Sequence, residues 1–156
     1  MKSTYLFPHQ YAVVGWILTV PSFIVGLLLV FGVIPEDLLG RWPVFAVYAN
    51  RVLGQDVYFG VVHSAILDEI LCIVLTVGLI LIAFSAEPHE DEFIRHLRLE
   101  SLVWATKINY LILIMCVLFF YEGGFLYVLL FNMFTLLLLF IFRFRFVLMR
   151  SKTDRL

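Results

Sequence analysis

The sequence predicts an all-α integral membrane protein: four transmembrane helices in an antiparallel bundle, both termini cytoplasmic, with a small β-hairpin in the first outer loop. Three observations carry that prediction. The chain has 156 residues, 63% of them hydrophobic and only 15% charged, against roughly 45–50% and 25% in soluble domains. A soluble fold of this size buries about two-thirds of its surface, too little to hide so many apolar side chains. The apolar residues gather into runs of membrane-spanning length, and Lys and Arg fall mainly on one side of those runs.

A bilayer core needs about 20 apolar residues per helix. Residues 12–34 give 23 without a charge, and residues 123–142 give 20. Residues 70–86 give 17, so a full span reaches back over Asp68 and Glu69; residues 108–121 give 14, so that span takes in Lys107. The predicted spans are 12–34, 66–85, 102–121 and 124–143, in a single transmembrane domain covering 1–156. The first is too long for a signal-peptide core and has no small-residue cleavage site. Pro21, flanked by Thr19 and Ser22, predicts a mild kink. The even alternation of spans puts nine Lys and Arg on the side of the termini and two, Arg41 and Arg51, on the other. The positive-inside rule then makes both termini cytoplasmic. Most Trp and Tyr residues fall near the proposed interfaces, as an aromatic belt requires.

The outer loop, 35–65, opens with the turn signal Pro35-Glu36-Asp37. The β-prone runs 44–48 and 57–62 flank Gly54-Gln55-Asp56, a pattern for a hairpin; an interfacial helix also fits. Such a loop serves either as a sensing or partner-binding cap or as a plain connector. The inner loop starts with Glu87-Pro88-His89-Glu90-Asp91-Glu92. Proline followed by acids is a helix-start signal, and an amphipathic helix over 88–101 running into the third span follows. Phe93, Ile94, Leu97, Ser101 and Trp104 share one stripe; Glu92, Arg95, His96 and Arg98 lie opposite. Glu90, Asp91, Glu92, Arg95 and Arg98 are candidate contacts for a cytoplasmic partner; a capped helix start with solvated charges explains them equally. The short turn Tyr121–Gly124 makes the last two spans a helical hairpin.

Ionisable residues inside a span are costly and often functional. His63, Asp68, Glu69 and Glu122 therefore form a candidate outward-facing ion, proton or metal site, although a slightly later boundary makes both acids interfacial. Their spacing matches no metal motif. Cys72 and Cys116 are too few for a disulfide framework and read as small core-fillers at equal depth. Asn109 and Asn132 read as interhelical hydrogen-bond partners, and Lys107 as a snorkelling side chain. Arg143 and Arg145 end the last span as an inner anchor. His89-Glu90-Asp91-Glu92-Phe93 lacks the second His of a zinc-protease signature. No phosphate loop, nucleophile elbow or CxxC occurs, and no transporter-type repeat is visible. The net charge of −1 argues against direct nucleic-acid binding.

Residues 90–106, EDEFIRHLRLESLVWAT, with Asn109-Tyr110 and Phe131-Asn132-Met133-Phe134-Thr135, resemble small uncharacterised membrane proteins of Bacteroidetes-type bacteria, best over 90–135. The resemblance implies a four-span inner-membrane protein and carries no catalytic residues. The expected function is non-enzymatic, without a cofactor: a regulatory or scaffold protein in the lipid bilayer that contacts a cytoplasmic protein through the acidic inner helix. The alternative is a small ion or proton transporter, a homo-oligomer, using Asp68 and Glu69 near the outer face.

Overall fold

A computed structural model describes residues 6–49, 57–88, 91–121 and 123–153. Among these, the order is α1 (Gln10–Val30), β1 (Arg41–Ala49), β2 (Val57–Ala65), α2 (Leu67–Ala83), α3 (Glu92–Phe119) and α4 (Gly123–Thr153). The chain divides into two compact units, Met1–Ile17 with Thr76–Leu156, and Leu18–Leu75. The boundary between them falls within both α1 and α2.

Three helices, α1, α3 and α4, are long and apolar enough to cross a membrane. α2, where a span was expected over 66–85, has 17 residues and is not one of them. At 1.5 Å per residue it is about 25 Å long, a little short of the hydrocarbon core. The helix of the inner loop runs on into the next apolar stretch, as expected. The helix expected at 88–101 and the span expected at 102–121 are one continuous α3 of 28 residues, about 42 Å long. It starts at Glu92, four residues later than expected, because Asp91 is its N-cap and accepts a hydrogen bond from the Ile94 N–H at 2.9 Å. The last helix continues about ten residues past the expected end, carrying Arg143, Arg145 and Arg150 on helix rather than on a tail.

In the larger unit, α3 and α4 pack against each other. The buried side of α3 is Ile94, Leu97, Ser101, Ala105 and Asn109, spaced by three and then four residues as one helical face demands. Ala105 is fully buried and Ser101 equally so; small residues let two helix backbones approach. α4 answers with Phe134, Phe140, Ile141, Phe144 and Leu148. Asn132 Nδ2 donates to Asn109 Oδ1 at 3.2 Å, the hydrogen bond expected across these helices. The first turns of α1 meet the end of α2 at Gly15, where a Cβ would lie 2.7 Å from Ile82 Cγ1 and 2.8 Å from the Gly78 carbonyl oxygen. Only glycine permits that approach.

In the smaller unit, α1 runs through Pro21 without interruption; Ser22 Oγ donates to the Leu18 carbonyl at 2.7 Å, one of the local adjustments that make a membrane proline tolerable. The helix ends four residues before the expected boundary. Gly32, with φ of 68°, lets its own N–H reach the Leu29 carbonyl and the Val33 N–H reach Leu28; this paired pattern satisfies the last carbonyls and stops a helix. The expected turn follows, with Leu38 N–H on Pro35 and Gly40 N–H on Asp37. The expected hairpin is present as antiparallel β1 and β2, paired from Arg41↔Ala65 to Ala49↔Val57. Tyr48 and Tyr58 face each other with ring centroids 5.2 Å apart. Its turn, Gly54-Gln55-Asp56, lies outside the described residues.

Candidate functional site

Where α2 ends and α3 begins, the larger unit holds a cluster of polar contacts centred on residues 83–87. An α-helix leaves its last carbonyls without partners, and the chain after α2 must supply donors. Arg98, two turns into α3, does so: Nη1 donates to the Ala83 and Ser85 carbonyls, and Nη2 donates to Ser85, each at 3.1 Å. The same guanidinium lies 4.8 Å over the Phe144 ring of α4. A planar fork of donors with aromatic stacking is what arginine offers and lysine does not. The N-terminal segment closes the other side. Phe7 N–H donates to Phe84, Ala86 N–H donates to the Phe7 carbonyl, both within 2.9 Å, and the His9 ring nitrogen Nδ1 lies 3.1 Å from the Ala86 carbonyl. Glu87, its side chain 6% exposed, pairs with Arg145 Nη1 at 2.8 Å. Arg143 lies 4.7 Å over the Trp104 ring. Chain start, α2 end, α3 and α4 are thus tied together at one place.

This corrects two of the expected partner contacts. Arg98 was expected on the outer face of the inner helix; it is half-buried and spends its donors on the end of α2. Asp91 is the α3 cap. Glu90 lies outside the described residues. Glu92 and Arg95 are exposed, as expected. With them the structure presents His96, Leu99 and Glu100. The five fall at i, i+3, i+4, i+7 and i+8, one stripe of a helix, and His96 Nδ1 sits 3.6 Å from Glu100 Oε1. His96 was expected on this polar face, four residues before Glu100 as a helical pair requires; Leu99 was legible in the same spacing and was passed over. Beside the stripe is an open groove of about 580 Å³, floored by Phe84, Leu102 and Phe140 and rimmed by Arg95 and Arg98.

The four residues of the proposed ion site are not gathered in this way. His63 is on β2 opposite Pro43. Asp68 and Glu69 occupy the first turn of α2, where acids suit a helix N-terminus. All three are exposed, so no enclosed wall surrounds them. Glu122 lies outside the described residues. Among the described residues no three His, Cys, Asp or Glu side chains come together to hold a metal ion. Cys72 and Cys116 form no disulfide, and each is half-buried.

No protein-family model matches the chain, and no curated protein or solved structure matches it.

Proposed function

We propose that the protein is a four-span, multi-pass membrane protein with both termini cytoplasmic, and that it works without catalysis as a docking or regulatory element. α2 is the shortest span. The docking surface is the stripe Glu92, Arg95, His96, Leu99 and Glu100 with the groove beside it. One observation carries this reading: the start of α3 is braced from behind by the Asp91 cap and the Arg98 bonds to Ala83 and Ser85, while its outer stripe is exposed. Binding costs less when the surface is already ordered. Mixed charges around Leu99, which is 60% exposed, suit a partner segment with an apolar anchor and complementary charges, and charge complementarity sets partner choice more than affinity.

The test is photo-crosslinking in native membranes from probes placed at His96 and at Leu99. A discrete cross-linked protein is expected. It should disappear when Glu92→Lys and Arg95→Glu reverse the stripe and persist when Lys107→Gln changes a charge elsewhere on α3. A partner list untouched by the reversal, or no cross-linked protein, sinks the reading.

A further inference from the structure

The hairpin presents a surface that neither water nor hydrocarbon accommodates. Apart from Arg41 at one end, β1 and β2 carry no Asp, Glu, Lys or Arg. Residues paired across the strands share a face, so the register separates two faces. On one, Val44, Ala46, Gly60 and Val62 are half-buried. On the other, Pro43, Phe45, Val47, Phe59 and Val61 are all exposed, Phe45 by 68% and Phe59 by 72%, with His63 beside Pro43 at one end. A contiguous apolar surface of this kind marks a binding face rather than a wetted one, and a lone two-stranded hairpin is marginal in water. Hydrocarbon is excluded by the backbone. Each strand has one unpaired edge, and unpaired N–H and C=O groups cost several kcal/mol apiece inside a bilayer core.

Two further observations choose the occupant. β2 passes into α2 across a single residue, Ile66, so the sheet is tethered directly to an apolar helix and is continuous with it. The hairpin also carries side chains that favour the membrane–water boundary: Trp42, Tyr48 and Tyr58 are exposed on the face opposite the two phenylalanines, and such rings settle at headgroup level. Phe59 has φ of 50°, a left-handed conformation that costs a bulky residue of order 1–3 kcal/mol and persists only where something offsets it. Inserting its ring into lipid is such an offset.

We propose that the β1–β2 hairpin is an interfacial membrane-binding element, lying flat at the headgroup–acyl boundary with the Pro43, Phe45, Val47, Phe59 and Val61 face toward the lipid. Its strand edges stay at the hydrated level, where water satisfies them. The proposal rests on the reading of the helices as membrane spans.

The experiment uses the full chain with Cys72→Ser and Cys116→Ser, carrying one further substitution at a time: Phe45→Cys, Val61→Cys, Tyr58→Cys or Ile112→Cys. Each is labelled with an environment-sensitive fluorophore and reconstituted into phosphatidylcholine vesicles containing lipids brominated at shallow or deep acyl positions. Shallow quenchers should act on the Phe45 and Val61 labels roughly twofold more than on Tyr58, which is on the other face, matching a burial of about 5–10 Å. Deep quenchers should act on Ile112, in the apolar stretch of α3. If Ile112 is quenched and neither Phe45 nor Val61 is, the hairpin proposal is overturned while the spans stand. If Ile112 is not quenched, the membrane reading itself fails and the proposal with it. Label-to-label contact that grows with protein density, without lipid quenching, would falsify the proposal in favour of a second copy covering this face.

Discussion

Two connectors that follow or precede α2 are built on opposite terms. The turn at 84–87 is short, and each polar group named there meets a partner: the Phe84 and Ala86 backbones bond to Phe7, the Ser85 carbonyl takes Arg98, and the Glu87 carboxylate takes Arg145. The hairpin is long and leaves its largest apolar side chains uncovered. The first connector satisfies polar groups within the protein and so ties helices together. The second satisfies its backbone by strand pairing and leaves its side chains to the surroundings. The difference teaches where each kind of residue acts in this chain: charge holds the inner end, and apolar surface is what the hairpin offers outward.

That contrast can be broken most forcefully at Glu87. Arg145→Ala strands a buried carboxylate, and removing one partner of a buried pair costs about 3–5 kcal/mol. Because Arg145 is 30% exposed, the lower end is expected. Equilibrium unfolding in mixed micelles measures it. Replacing both residues, Glu87→Leu with Arg145→Leu, should recover most of the loss; a double variant as unstable as Arg145→Ala would mean the charges act through something other than each other.

A smaller effect is expected where α3 and α4 share one polar contact. Asn132→Ala should cost about 0.6–1.7 kcal/mol, the measured span of hydrogen bonds between membrane helices. Asn109→Ala on top of it should add little, since residues in one hydrogen bond are not additive. Additive losses in the double-mutant cycle would show that the Asn132 to Asn109 bond is not what holds the pair.

The smallest effect belongs to the hairpin. Phe45→Ser in micelles should change stability by no more than about 0.5 kcal/mol, as exposed substitutions do, while Arg145→Ala in the same assay gives several times that. A loss at Phe45 as large as at Arg145 would erase the contrast and place Phe45 in a packed interior.

Much of this architecture is written locally. The apolar runs name the helices, Pro35–Asp37 names the turn, and the β-prone runs on either side of Gly54 name the strands, because each depends on neighbours a few residues away. The facing of Asn109 and Asn132 was legible too, since two polar side chains in adjacent apolar helices have few partners to choose from. The length of α3 was partly legible: an amphipathic start and an apolar continuation share one helical phase, but nothing local says that no break separates them. The candidate docking stripe was half legible. Glu92, Arg95 and His96 were expected there, and Glu100 as the helical partner of His96, whereas the exposed Leu99 joined the stripe only when Arg98 was seen to turn away.

The sequence by itself determined that this chain carries far more apolar surface than a soluble fold can bury, and it marked which stretches become helix and which become strand. Composition and periodicity suffice for that, because transfer of side chains from water depends on what they are rather than on what they touch. Only the tertiary structure decided which charges are engaged. Arg98, Arg143 and Arg145 look alike along the chain, one on the inner helix and two at the end of the last span. In space one holds the carbonyls at the end of α2, one lies on Trp104 and one neutralises Glu87. Their partners are remote in sequence, and a charge takes its role from the group it meets.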